Sequence, residues 1–289
     1  MAKECFDVVI TGGSGRVGML LATAALSQGK RVLVLDRVAP LQPRGVEVKI
    51  LDLCHIANLR SISIKASSLV HLAAIPSPRL ASPEEVFENN VLATFNALEG
   101  TRDWDISTIV LASSEAVYGF AFSAPQPPPG YLPIDEDYPL SATDPYGLSK
   151  IFSENLCEAH VRRGDCERAI ALRFSWILEP NAQVNAVEQI STNVSRGLSK
   201  MFAYLDIRDA ISVIVHSLTA KTNGFSPYIV AAPDTLSRSP TIPLANSHFP
   251  DSPWRSRPST FGSLLQSSRI KEIGFTPSLS WREVNAVPT

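Results

Sequence analysis

The chain is poor in the residues that build metal centres and disulfide frameworks. It has four cysteines (Cys5, Cys54, Cys157, Cys166) with no CxxC pair, and five histidines (His55, His71, His160, His216, His248) with no HxxxH pair. These spacings weigh against a metal site and read as reduced thiols. Charge of neither sign is in surplus. Lys and Arg total 26 against 28 Asp and Glu, a net −2 with no basic cluster, so neither nucleic acid nor an anionic membrane is an expected partner. No apolar run approaches the roughly 20 residues of a membrane-spanning helix. Met1–Ala2–Lys3 leads straight into an apolar run, leaving no room for a signal peptide, and a cytoplasmic location is expected. No internal repeat is apparent.

What is present is core material: 289 residues, 45% hydrophobic, enough for one large domain or two smaller ones. The stretch from Phe6 to Asp36 organises the rest. Phe6–Ile10 is a short apolar run of the kind that forms a buried strand. Thr11–Gly12–Gly13–Ser14–Gly15–Arg16–Val17–Gly18 follows, then a helical pattern through Met19, Leu20, Ala24 and Ala25, then Val32–Leu35 ending on Asp36. Strand, glycine turn, helix, strand and terminal acid make the beginning of a dinucleotide site. One glycine closes the tight turn, another lets backbone approach a pyrophosphate, and Gly18 lets the helix pack closely on the sheet. The helix N-terminus presents N–H groups to the phosphates, and Asp36 stands where a carboxylate accepts hydrogen bonds from a ribose.

Strands are predicted at Val46–Leu51, Ser68–Ala74, Thr108–Ala112 and Ala169–Arg173. Helices are predicted from Pro83 through Leu98 and from Pro145 to about Arg163. Strands alternating with helices define an α/β fold, a Rossmann-type doubly wound parallel sheet. Its ligands gather at the carboxyl ends of the strands, where Ala73–Ala74 and Ser113–Ser114 fall. After Phe174 the pattern loosens. Helices are expected over Val184–Ser199, Arg208–Ala220 and Leu264–Ile273, a strand at Tyr228–Ala231, and loops from Ser237 to Pro258. The expected organisation is a nucleotide-binding domain over residues 1–175 and a small C-terminal substrate lobe over 176–289, with some segments returning to the first domain.

Tyr146 and Lys150 lie four apart near the start of a helix and so share a face. An unperturbed tyrosine hydroxyl titrates near about 10, and a neighbouring ammonium favours the phenolate. A tyrosine so placed exchanges a proton with an alcohol or carbonyl oxygen while a hydride moves to or from a nicotinamide. Ser114, at the end of a strand, is placed to polarise the reacting oxygen.

These motifs together resemble the extended short-chain dehydrogenases/reductases, the NAD-dependent epimerase/dehydratase superfamily. Thr11–Gly18 resembles the TGxxGxxG turn, and His71–Ala74 the HLAA strand end. Asn90–Val91 with Thr94 and Asn96 is similar to the NV-x-GT-x-N helix, with Ala93 in place of glycine. Ser113–Gly119 resembles the serine segment, and Tyr146–Lys150 the YxxxK pair. Leu172–Arg173 and Tyr204–Asp209 are similar to two later landmarks. The resemblance implies a catalytic triad of Ser114, Tyr146 and Lys150. It implies a cofactor site of Gly12, Gly15, Arg16, Val17, Gly18, Asp36, Arg37, Asp52, Leu53, Leu72, Ala73, Ala74, Asn90, Tyr146 and Lys150. Asp52 and Leu53 would flank the adenine, and Asn90 would support the site. Asp36 favours NAD, whereas Arg16 and Arg37 are the residues that would accept NADP. Members are often dimers, so a homodimer is compatible with the resemblance.

Two departures narrow the reaction. Dehydratases of this superfamily carry an Asp–Glu pair after the hydroxyl residue; here Glu115 and Ala116 stand there, and the base is missing. Only Phe174 to Ala203 separates the two later landmarks, a compactness similar to uronate dehydrogenases and to reductases of small carbonyls. Trp176, Phe202 and Tyr204 are candidates for lining an apolar pocket. The leading expectation is an NAD(P)-dependent oxidoreductase acting on a carbonyl or alcohol carbon of a small molecule. The alternatives are a sugar or sugar-nucleotide epimerase that retains its NAD, and a non-catalytic dinucleotide sensor.

Overall fold

A computed structural model describes residues 3–41, 45–123 and 125–284. The chain forms two units. The first comprises the chain up to Ser113, Pro145–Leu172 and Ile214–Pro227; the second comprises Ser114–Asp144, Arg173–Val213 and the chain from Tyr228 onward.

Apolar runs make the strands of the main sheet, most of whose residues belong to the first unit. They are β1 (Glu4–Thr11), β2 (Val32–Asp36), β3 (Glu47–Ile50), β4 (Ile64–His71), β5 (Thr108–Ser114) and β6 (Arg168–Phe174), joined later by β9 (Gly224–Val230). The seven-stranded sheet has the order β3-β2-β1-β4-β5-β6-β9, and the pairs from β3 to β5 are parallel. Val9, Ile10, Leu33, Val34, Leu35, Leu69 and Val70 are fully excluded from solvent, as expected of strands covered on both faces. Strand order reverses beside β1, so the loops after β1 and β4 border the crevice where such sheets take ligands.

Helices α1 (Arg16–Ser27), α2 (Ile56–Arg60), α3 (Pro83–Gly100) and α4 (Pro145–Arg162) cover this sheet. Ser82 caps α3 by accepting a hydrogen bond from Glu85 N at 3.2 Å, with Pro83 in the first turn and Glu84 and Glu85 answering the helix dipole. The strand and helix assignments made from sequence for this half hold in outline, but β4 begins four residues earlier than predicted and ends three residues earlier, at His71, and α2 was not predicted.

In the second unit β7 (Ile177–Leu178) pairs with β8 (Leu205–Asp206). Around them lie α5 (Pro180–Thr192), α6 (Ser195–Leu198), α7 (Ile207–Leu218, which runs on into the first unit), α8 (Thr241–His248) and α9 (Trp281–Val284). Three expectations fail here. The helix predicted over Val184–Ser199 begins at Pro180 and breaks at Asn193, whose backbone is extended. The helix predicted over Leu264–Ile273 is mostly absent. Ile134 N donates to Leu264 O at 2.8 Å, buried Leu264 lies in a bend, buried Leu265 forms an isolated bridge with Ile134, and only a 3₁₀ turn over Ser268–Ile273 follows. Between Ser237 and Pro258, where loops were expected, α8 forms, its Pro243 tolerated in the first turn.

Candidate active site

The glycine turn is built by backbone crowding. Gly12 has φ +69°, and a Cβ there would lie 2.6 Å from Ala73 N, so this glycine both reverses the chain and lets the β4 end approach. Gly13 makes room for the Val34 side chain, 2.7 Å from its hypothetical Cβ. Gly18 is packed against the turn itself, with Gly13 Cα at 2.5 Å, rather than against a strand as the sequence suggested. Gly15 differs. It is exposed, caps α1 with no side chain, and its Cβ would meet only Gly12 O at 3.3 Å. The open side of the turn is therefore at Gly15, beside exposed Arg16 and half-buried Val17 at the helix N-terminus.

Asp36 closes the same cradle. Its Oδ2 accepts from Ser14 N at 2.9 Å and its Oδ1 from Val38 N at 3.3 Å, fixing the carboxylate against the turn. Arg37 is exposed. Asp52 holds the loop after β3 by accepting from Cys54 N at 2.8 Å, and Leu53 is buried in the core, its carbonyl accepting from Asn96 Nδ2 at 2.8 Å. Leu72, Ala73 and Ala74 are half-buried past the end of β4. An open glycine turn, a helix N-terminus and a fixed acid at the next strand end fit an adenine dinucleotide.

Behind this cradle a buried polar ladder joins β1, β4, α3 and α4. Thr94 Oγ1 donates to Asn90 O at 2.8 Å, so it accepts at 3.1 Å from His71 Nε2, which leaves His71 Nδ1 to accept from Thr11 Oγ1 at 2.8 Å. Burial presses the His71 imidazole down to about 3, with the Lys150 charge adding to the effect, so the ring is neutral. Asn90 is 1% exposed and all but encloses Ile75: its Oδ1 accepts from Ile75 N at 2.7 Å, and its Nδ2 donates to Ile75 O and to Ser149 Oγ, both at 3.1 Å. Ser149 Oγ in turn donates to Tyr146 O at 2.7 Å. Asn90 thus positions the α4 turn that carries Tyr146 and Lys150.

Tyr146 is buried, and Lys150 Nζ lies 5.7 Å from its ring centroid. That ammonium donates to Ala112 O at 2.7 Å. Burial lowers Lys150 to about 8, against the opposing pull of Glu154, so it remains mostly cationic at neutral pH. Ser113 Oγ donates to Glu154 Oε1 at 2.5 Å. Ser149, Ser153 and Glu154 were not singled out from sequence, although they recur at helical spacing beside Tyr146 and Lys150.

Ser114, at the end of β5, belongs to the second unit. Its Oγ accepts from Ala116 N at 3.1 Å, capping a one-turn 3₁₀ helix over Glu115–Tyr118, and it donates to no described residue. Arg173 is buried and donates to Tyr118 OH and to Glu136 O, both at 3.0 Å, which gives the Leu172–Arg173 landmark a structural task. Of the three aromatics considered for a pocket, Phe202 and Tyr204 are core residues at 1% and 0% exposure; only Trp176 is half-buried. Among the described residues, no group of three His, Cys, Asp or Glu could hold a metal, and no helix is long and apolar enough to cross a membrane.

Fold and cradle define a dinucleotide-binding protein of the Rossmann class. Residues 8–231 match the NAD dependent epimerase/dehydratase family, and the chain belongs to that family of extended short-chain dehydrogenases/reductases. A Methanocaldococcus jannaschii protein named "Putative UDP-glucose 4-epimerase" is 32% identical over 180 residues, covering 58% of this chain and 55% of that protein. The chain spans about half the length of the curated relatives it matches. Among solved structures, a short-chain dehydrogenase/reductase superfamily protein from Agrobacterium tumefaciens with bound NAD superposes with a TM-score of 0.73 at 21% identity, covering 96% of this chain and 94% of that one. A mutated uronate dehydrogenase gives 0.70 at 19%, covering 98% and 85%. Both likenesses are of fold.

Proposed function

We propose that the protein is an NAD-dependent epimerase acting at a hydroxyl-bearing carbon of a sugar or sugar nucleotide. The observation that carries this reading is the 32% identity to a relative named as a UDP-glucose 4-epimerase, on a chain that keeps Ser114, Tyr146 and Lys150. Sequence alone ranks net oxidoreduction first; the names of the relatives reverse that order.

NAD, when bound, supplies a reversible acceptor for the hydride of the substrate carbon. The chain's own residues manage the proton. Tyr146 takes it from the substrate hydroxyl and returns it to the oxygen when the carbon is reduced again on its other face. Lys150, held by Ala112 O, favours the phenolate through its charge. Ser114, with its hydroxyl proton uncommitted among the described residues, donates to the same substrate oxygen. Ala116 occupies the place of a dehydratase base, and a methyl group removes no proton, so loss of water is not the outcome.

Incubation with UDP-glucose or a related sugar nucleotide tests the reading through nicotinamide absorbance. An epimerase yields isomer with no net reduced cofactor. Reduced cofactor accumulating in step with product would instead establish a dehydrogenase, the reading favoured by the short stretch between Phe174 and Ala203.

A further inference from the structure

Helix α4 buries a carboxylate that the proton transfer does not itself use. Glu154 is 3% exposed and follows Tyr146 by eight residues and Lys150 by four. Those intervals put the three side chains on one face of the helix. A buried carboxylate is costly unless hydrogen bonds answer it. One such bond comes from Ser113, also 3% exposed, whose Oγ donates to Glu154 Oε1 at 2.5 Å.

Consecutive residues at the end of β5 are thus bound by consecutive turns of α4. Ala112 O receives the Lys150 ammonium at 2.7 Å, and Ser113 Oγ reaches Glu154 one turn further on. Side chains alternate along a strand, so Ser113 faces α4 and Ala112 meets this helix through its carbonyl. A lysine is a point charge on a flexible four-carbon stem, so its place is set by what the ammonium binds. Here that is a backbone oxygen, and it is as fixed as the strand end that carries it. The ammonium lies 5.7 Å from the Tyr146 ring centroid, and its influence on the phenol falls with distance.

We propose that Glu154 is a positioning residue for the proton-transfer pair: by accepting from Ser113 it ties the end of β5 to α4, and so keeps the Ala112 carbonyl where it holds the Lys150 ammonium beside Tyr146. The proposal rests on the epimerase reading only in taking Tyr146 as the proton carrier.

Ionisation of Tyr146 is the direct readout. Phenolate absorbance is titrated in the full chain, and subtraction of the matching Tyr146→Phe titration isolates one of the six tyrosines. The sign of the shift is diagnostic. Loss of a nearby negative charge by itself would favour the phenolate and move the titration to lower pH, whereas an ammonium drawn away moves it to higher pH. Glu154→Met, which keeps the length and removes the acceptor, should raise the midpoint by about half a pH unit or more. Ser113→Ala changes no charge and should raise it as well. Glu154→Gln, whose amide oxygen still accepts from Ser113, should not raise it. The double variant Ser113→Ala with Glu154→Met should move no further than the larger single shift, because both changes cut the same bond. Where sugar epimerisation is found, the acid limb of turnover should move with the phenol, which a mere loosening of the helix would not cause. The proposal is overturned if Ser113→Ala leaves the midpoint unchanged, if Glu154→Met lowers it or leaves it in place, or if the two shifts add. Should Glu154→Met not fold, Ser113→Ala decides alone. A wild-type protein that epimerises no sugar would defeat the proposed function and leave this titration standing.

Discussion

Lys150 is a buried cation whose ammonium is anchored to a carbonyl, Ala112 O, at 2.7 Å. A neutral acceptor fixes the side chain without cancelling its charge, which remains available to the phenol 5.7 Å away at its ring centre. Asn90 holds the helix turn beneath the pair. Asn90→Ala would strip Ile75 N and O of their partners inside the protein, and a loss of about 2–4 kcal/mol in denaturant unfolding is expected, with turnover falling further than NAD affinity. A loss below about 0.5 kcal/mol would show that the loop after β4 re-pairs elsewhere. His71 makes an acid-side prediction. Its folded value near 3 lies below its ordinary 6.5, so in between the unfolded chain binds the extra proton. The contribution is complete above about 6.5 and is lost as pH falls toward 3, at up to about 1.4 kcal/mol per pH unit. In His71→Gln the dependence of unfolding free energy on pH in that window should flatten; an unchanged slope would assign acid sensitivity to other groups.

At the scale of elements, the turn between β1 and α1 separates two kinds of glycine. Gly12→Ala forces a side chain into positive φ and onto the backbone of Ala73, so loss of stability and of NAD binding should go together. Gly15→Ala has an ordinary φ of −70° and little to strike, so the unfolding midpoint should stay within a few degrees while NAD binding weakens. Equal thermal losses in both variants would contradict the open side assigned to Gly15. This turn was legible because its determinants are local: an apolar run, glycines at fixed spacing, and an acid one strand later. The α4 pair was legible for the same reason, with Pro145 marking the helix start. In the second unit the determinants are distant. Leu264 and Leu265 have the composition of a helix, but pairing with Ile134, some 130 residues away, draws them into a bend and an isolated bridge instead. The strands β7 and β8 are two residues each, too short to show a period.

For the whole molecule, the cofactor is the ligand that should dominate apparent stability. At a hundredfold excess over its Kd, NAD should add about 2.7 kcal/mol to the unfolding free energy. Asp36, fixed by Ser14 N, repels a 2′-phosphate, so NADP should shift the unfolding midpoint less than NAD at equal concentration, and Asp36→Ala should narrow the gap. A larger shift with NADP would mean that Arg16 and Arg37 govern the site instead. The proposed function has one central claim, that Tyr146 carries the reacting proton with Lys150 as its electrostatic partner. The most direct test is turnover of Tyr146→Phe beside its NAD affinity. The account predicts turnover reduced by about 10²-fold or more with NAD affinity nearly unchanged; turnover equal to the wild-type protein's would contradict it.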